Sequence, residues 1–323
     1  MPRLKRHICS KRRLPTGIAA VGFAVLLAGV GHYRVQADDS GRASNDSCRT
    51  ARPSVAEKAA DDAIVDLRSA RPRFHAALER RRGDGATAFL VAVTLPGNLD
   101  GTASVDERKA TFISLLLPMI HRINEETFDH RRLVEVALAC SGEGRSIDRA
   151  NQAEIVRLHE RYRTGGNLAA LRQRLDIVPP SLAIAQAAIE SGWGTSRFAV
   201  HGNALFGQRT TNPERGMRPA DLTAATPVRV AAFDHLMASV RAYVHNLNTH
   251  PAYRGFRARR TALRRDGVVL DGLMLADTLL AYSSRGQAYV NDLKSVIRDN
   301  RLTGFDASSG TAMPDGLNAG VDT

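Results

Sequence analysis

Leu182-Ala183-Ile184-Ala185-Gln186-Ala187-Ala188-Ile189-Glu190-Ser191-Gly192-Trp193-Gly194-Thr195-Ser196 is a nearly uncharged stretch that closes on one carboxylate, two glycines and the only tryptophan of the chain. Pro179-Pro180 blocks helix upstream, and Ser181 is a residue type that caps a helix start, so a helix is expected from there. Leu182, Ala185, Gln186 and Ile189 fall on one face at helical spacing, as in a buried helix. Gly192 and Gly194 end it.

That helix delivers Glu190 to its own C-terminal end. The partial negative charge there disfavours an ionised carboxylate by about 0.3–1 kcal/mol. Apolar neighbours, with Trp193 beside them, add a desolvation effect of the same sign. Both keep the carboxyl protonated to higher pH, which a general acid working near neutrality requires. The plain alternative is a solvated helix-end glutamate. The uncharged context and the glycine–tryptophan turn favour the acid.

The ends of the chain read differently. Arg3, Lys5, Arg6, Lys11, Arg12 and Arg13 precede an apolar run from Ile18 to Val30, then Val35-Gln36-Ala37. Residues 1–37 thus have the layout of a secretory signal, cleaved after Ala37 or kept as a signal anchor. As helix the run rises only ~20 Å, against a hydrocarbon core of ~30 Å. Export to the periplasm or cell envelope is the expectation. Removing the seven Lys/Arg of this segment lowers the formal charge from +12 to +5. That excess suits an anionic envelope polymer and is too weak to argue nucleic acid. Of three cysteines, Cys9 lies in the signal, so Cys48 and Cys140 are available to pair in an oxidising compartment. No Cys/His spacing suggests a metal, and no cofactor is expected.

Between the ends, residues 38–103 read as a linker and N-terminal extension, with helices expected over 55–70 and 74–82 and a β-like run over 89–95. Residues 104–303 read as one module, and 304–323 as a disordered tail. Within the module Phe112, Leu115, Leu116, Met119 and Ile120 recur at helical spacing, followed by helices near 131–140 and 151–163. Thr195-Ser196 can cap a short helix ended by Gly202-Asn203. Residues 208–227 lack periodicity and should form a long excursion, and 228–233 alternates like an edge strand. Asp234 is read as the cap of a helix whose stripe is Leu236, Val240, Tyr243, Val244 and Leu247. Further helices fall near 252–265, 272–283 and 286–299. Arg257, Arg259, Arg260 and Arg264 read as a solvated helix face, and His235, His245 and His250 as surface or cap residues.

The segment from Asp176 to Gln208 resembles the signature of the Bax-type proteins in the glucosaminidase group of glycoside hydrolase family 73. The resemblance runs from Glu107-Arg108-Lys109 and Leu117-Pro118-Met119-Ile120-His121, through Phe233-Asp234, to the segment from Tyr282 to Val290. It implies a lysozyme-like helical domain, mostly α, with a small β-lobe around 208–233 near the active-site cleft. Periodicity alone supports only a mostly α chain with a small β element. The activity implied is an endo-β-N-acetylglucosaminidase acting on peptidoglycan glycan strands, with Glu190 as proton donor.

The resemblance also bears on the remaining site residues. The family's second carboxylate is proposed on the β-lobe hairpin, but here Arg229 and Val230 stand beside Phe233-Asp234. Glu214 and Asp221, in the excursion before the strand, are the available acids, and neither falls on the family pattern. Assistance by the sugar's own 2-acetamido group is the other route. In Asn203-Ala204-Leu205-Phe206-Gly207, Ala204 replaces the usual motif Asn, so Asn203 is expected to take over its hydrogen bonding. Leu205 and Phe206 suit packing beneath the cleft. One of Tyr282 and Tyr289 should contact sugar and the other should be core, Tyr289 fitting a stripe with Leu293 and Val296. Trp193 is either a sugar platform or a lid over Glu190. Two rival readings stay open: a lytic transglycosylase, and a peptidoglycan-binding envelope protein without turnover.

Overall fold

The computed structural model describes residues 104–219 and 227–307, together with 94–96, 99 and the backbone of four short strands between 63 and 92. Those strands are β1 (Ala63–Val65), β2 (Arg80–Arg81), β3 (Thr87–Ala88) and β4 (Leu90–Ala92). β1 pairs in parallel with β4, and β2 antiparallel with β3. The expected β run near 89–95 is therefore present as β4. The helices expected over 55–70 and 74–82 are contradicted at 63–65 and 80–81, where β-branched Ile64-Val65 and the pairing partners favour strand. The signal segment and Cys48 lie outside the described residues. Cys140 is disulfide-bonded.

Helix α1 (Val105–Gly142) opens on a capping box in which Ser104 and Glu107 satisfy each other's backbone N–H, at 3.2 and 2.9 Å. It runs unbroken through Pro118, where separate helices were expected. The reason is that its buried stripe between residues 122 and 131 is polar. Arg122, Asn124, Thr127 and Arg131 hold inward positions alongside Ile120 and Ile123, hiding the period from a count of apolar residues. Asn124 uses its position to grip Val178, accepting from its N–H at 3.1 Å and donating to its carbonyl at 2.8 Å. Helices α2 (Arg149–Tyr162) and α3 (Leu168–Arg174) enclose a smaller cluster with α1, built on Leu133, Leu158 and Leu171.

The main core surrounds α4 (Pro180–Ser191), in which every residue from Pro180 to Ala188 is buried. A helix apolar on all sides belongs in the middle of a fold. Its N-cap is Pro179, and Ser181 does not cap it. The expected cap fails because a distant carboxylate does the work. Asp306 accepts from the Ser181 N–H at 2.9 Å and the Ser181 hydroxyl at 2.6 Å. The packed chain consequently continues past residue 303, through the 3-10 turn Leu302–Phe305, to Asp306.

Upstream of α4, Asp176 anchors the chain among arginines. Its carboxylate meets Arg264 at 3.0 Å, Arg131 at 3.4 Å and Arg260 at 3.7 Å, all buried. Burial opposes its ionisation, but Arg260, Arg264 and Arg131 outweigh burial and hold the carboxyl below its ordinary value. This corrects the reading of the arginine stripe as a solvated face. On the helix Arg254–Arg265, Arg257, Arg260 and Arg264 turn inward and only Arg259 of the four stays exposed. Arg260 donates to the carbonyls of Asp176 and Ile177 at 3.1 and 2.8 Å.

Helix α5 (Arg197–Gly202), capped by Ser196, leads into a three-stranded antiparallel lobe of order β5 (Arg209–Thr210), β7 (Arg229–Ala231), β6 (Gly216–Met217). The run 228–233 was expected as an edge strand. It supplies the central strand instead, because the excursion folds back through Pro213–Arg215 and pairs on both sides of it. Two-residue strands are too short to alternate legibly. A Cβ on Gly216 would lie 2.6 Å from that of Arg229, so glycine allows the close pairing. Helix α6 (Leu236–Thr249) buries the expected stripe, but its cap is His235, whose Nδ1 accepts from Ala238 N–H at 3.2 Å. Asp234, the expected cap, is exposed one residue too early. Helices α7 (Arg254–Arg265), α8 (Gly272–Ala276) and α9 (Gln287–Asp299) complete the body, with a 3-10 segment Asp277–Tyr282 before α9. The fold is mostly α with a small β-lobe.

Candidate active site

The end of α4 is built from three consecutive residues in the left-handed region: Gly192 (φ 60°), Trp193 (φ 57°) and Gly194 (φ 84°). The turn is held by the Trp193 N–H on the Ala188 carbonyl at 2.9 Å and the Gly194 N–H on the Ser191 hydroxyl at 2.9 Å. A side chain at Gly194 would be strained at φ 84° and crowded, its Cβ standing 3.0 Å from the ring of Phe112. Trp193, a non-glycine in this region, carries backbone strain of a kind that collects at functional sites. Its indole packs edge-on to Phe112 at 5.8 Å, with the Lys109 ammonium 5.2 Å from the ring centre.

Glu190, one turn back, is half-buried. Its Oε2 lies over the backbone of Gly207, so close that a Cβ on that glycine would stand 2.9 Å away. Tyr289 and Arg285 both lie near enough to act on its charge. Burial raises the affinity of Glu190 for its proton, and Tyr289 and Arg285 only partly offset that. The result is a carboxyl that stays protonated above its ordinary range.

Beneath Glu190 runs a buried chain of side chains. Tyr243 donates to Gln186 Oε1 at 2.7 Å, and Gln186 Nε2 donates to the Tyr289 hydroxyl at 3.0 Å. Phe206 stacks on Tyr243 with ring centres 3.9 Å apart, and Tyr282 lies parallel to Tyr289 at 5.6 Å. The Tyr282 hydroxyl donates to the Phe206 carbonyl at 3.1 Å. Glu190, Tyr289, Tyr282, Phe206 and Gly207 are thus drawn into one cluster.

The other expected site residues sit as follows. Tyr289 is 1% exposed while Tyr282 is only partly buried, so of the pair Tyr289 is the one enclosed. Asn203 ends α5 at φ 50° and donates from Nδ2 to the Phe233 carbonyl at 2.9 Å, tying the loop to the lobe. Phe206 is 2% exposed and packs in the core. Glu214 is exposed on the lobe, beside a cavity of about 560 Å³ that Gln208, Arg209, Arg215 and Phe233 also line. Asp221 lies outside the described residues.

Gln186, Tyr243 and the contact from Gly207 were not legible as site features. Gln186 did carry a signal: an amide flanked by Ile184, Ala185, Ala187 and Ala188 must find buried partners. Tyr243 did not, because it satisfies the helical stripe of α6 as well as any core residue.

Residues 166–302 match the glucosaminidase family, described as mannosyl-glycoprotein endo-beta-N-acetylglucosaminidase. Among curated proteins, the chain is 31% identical over 199 residues to protein Bax of Escherichia coli (strain K12), covering 60% of this chain and 70% of that one. Among solved structures it is similar to the catalytic domain of the autolysin Auto from Listeria monocytogenes. There the identity is 16%, the coverage 64% of this chain and 91% of the other, and the TM-score 0.37.

Proposed function

The chain belongs to the glucosaminidase family, together with protein Bax, and from that premise we propose that it is an exported endo-β-N-acetylglucosaminidase. Its substrate is the glycan strand of peptidoglycan, and Glu190 is its general acid. The observation that carries this reading is the half-buried Glu190 carboxyl at a left-handed helix end, its hold on its proton strengthened by burial. A glycosidic oxygen must receive a proton as its bond to the anomeric carbon breaks, and a carboxyl in this state can give it. Water then takes the sugar, and Glu190 recovers its proton from that water.

Support for the positive charge developing on the sugar comes from a second group. Glu214, on the lobe, is the carboxylate we assign within the described residues, with Asp221 and the substrate's own acetamido group as the other routes. Tyr282, the less enclosed of the stacked pair, is our assignment for sugar contact. Trp193, Asn203 and Phe206 shape the surrounding wall, and Tyr289 acts on the acid. Export rests on the basic-then-apolar layout of residues 1–37.

The test is mass spectrometry of purified peptidoglycan digested with residues 38–323. Fragments ending in a reducing N-acetylglucosamine are expected. Anhydro-muramyl ends would replace the hydrolase by a lytic transglycosylase, and binding without any fragments would leave a sugar-binding envelope protein.

A further inference from the structure

The β-lobe holds charges that the fold itself leaves unused. Arg209, Glu214, Arg215 and Asp234 are all exposed around the cavity of about 560 Å³. Among the described residues none of these four side chains has a hydrogen-bond or ion-pair partner. Arg215 does not pair even with Glu214 beside it in sequence, whereas Arg265 meets its neighbour Asp266 at 3.1 Å.

The cavity's floor is small and apolar. Ala231 and Ala232 come from the end of β7, and Ala238 and Ala242, one turn apart, from the same face of α6; all four are half-buried. The Ala232 N–H on the Arg215 carbonyl at 2.9 Å and the Ala231 N–H on the Gln208 carbonyl at 2.7 Å tie the rim to that floor. The volume falls within the range of about 300–1,000 Å³ of sites that take a small organic ligand. At one edge stands Gln208, the residue after the Gly207 that lies against Glu190. Its amide oxygen is enclosed and has no partner among the described residues, so the amide can turn toward a donor in the cavity without giving up a bond.

We propose that this cavity binds the peptide attached to the glycan strand, with peptide carboxylates on Arg209 and Arg215, an amine on Asp234, and apolar side chains against the alanine floor. The inference rests on peptidoglycan as the substrate and adds the part of it that this face recognises. The sugar backbone of that polymer is uncharged, and its carboxylates and amines lie on the peptides. A neutral sugar in the cavity would leave both guanidiniums unused. Glu214 keeps its assignment to the sugar, so strand and peptide meet at this rim.

The test is isothermal titration calorimetry of the full-length protein with peptides cut from purified peptidoglycan by an amidase. It needs no turnover, so a protein inactive as a glycosidase can still pass and an active one can still fail. Saturable binding is expected, weakening with added salt. In the double variant Arg209→Gln/Arg215→Gln it should fall about tenfold. Ala242→Leu fills the floor with both guanidiniums intact, and should also weaken binding at least about tenfold. No saturable binding by wild type, or equal affinity in wild type and the arginine variant, would overturn the proposal. Binding of peptide-free glycan instead, kept in the arginine variant, would give the cavity to the sugar and overturn it equally. The arginine changes touch only exposed side chains, and they decide the matter alone if Ala242→Leu does not fold. Where the hydrolase is active, the arginine variant should raise KM for intact peptidoglycan and leave cleavage of peptide-stripped glycan unchanged.

Discussion

Gly207→Ala is the change that separates the site from the scaffold. A Cβ at this position would stand 2.9 Å from Glu190 Oε2, where ordinary contacts lie at 3.4–4 Å, so the carboxyl or the loop must give by at least the difference of 0.5 Å. The backbone adds a second effect, because φ is +61° and a non-glycine residue there costs about 1–2 kcal/mol. Gly267 shares the second effect without the first: its φ is +67° and nothing lies within 4 Å of its Cβ position. Both alanine variants should therefore lose roughly 2–8 °C in melting temperature. Displacement of a catalytic group by a fraction of an ångström to one ångström can lower the rate by up to about 100-fold. We expect Gly207→Ala to lose about 10–100-fold in fragment release from peptidoglycan on that basis. Gly267→Ala should stay within a factor of about two of wild type, since its effect is on stability alone. The assay is reducing-end release beside a thermal melt. Equal activity in the two variants would refute the argument that Gly207 seats the acid.

Three further outcomes follow from the same physics. Asp176→Asn leaves Arg260 and Arg264 buried without their carboxylate, which should destabilise by about 3–5 kcal/mol and lower the melting point by roughly 10 °C or more; an unchanged melt contradicts the anchoring role. Burial raises Asp306 to about 6, against the donors Ser181 and Gly272. The native state therefore binds a proton that the unfolded chain releases above about 3.9, and stability falls as pH rises through that window. Melts of wild type and Asp306→Asn between these pH values should diverge, and parallel curves would count against it. Activity must fall as Glu190 loses its proton, so the alkaline limb of kcat/KM should lie above the ordinary carboxylate range, because burial raises Glu190; a limb inside that range would contradict the enclosed acid.

The helix that ends at Glu190 was legible because its signals are local. Glycines on both sides of a tryptophan break the helix and readily take the left-handed turn seen at 192–194, so a carboxylate just before them sits at the helix end. The stripe of α6 was equally plain. What sequence reading lost were interactions closed over long separations. Ser181 has a cap-like side chain, yet its partner is Asp306, 125 residues away. The arginines of α7 carry the period of an exposed face, but Asp176, 84 to 88 residues upstream, holds Arg260 and Arg264 inward, and the carbonyls of Leu247 and His250 hold Arg257. Within the β-lobe, the strands β5 and β6 escaped because two residues have no alternation to read. In the site, Tyr243 was hidden by fitting its stripe, and Gly207 by the fact that a glycine's contact is made by the side chain it lacks.

The most direct test of the account is the rate of soluble fragment release from insoluble peptidoglycan by wild type and by Glu190→Gln at one pH. Loss of a general acid predicts a fall of at least about 100-fold in the variant, at an unchanged melting temperature. A folded Glu190→Gln protein that still releases most of the wild-type product would contradict it.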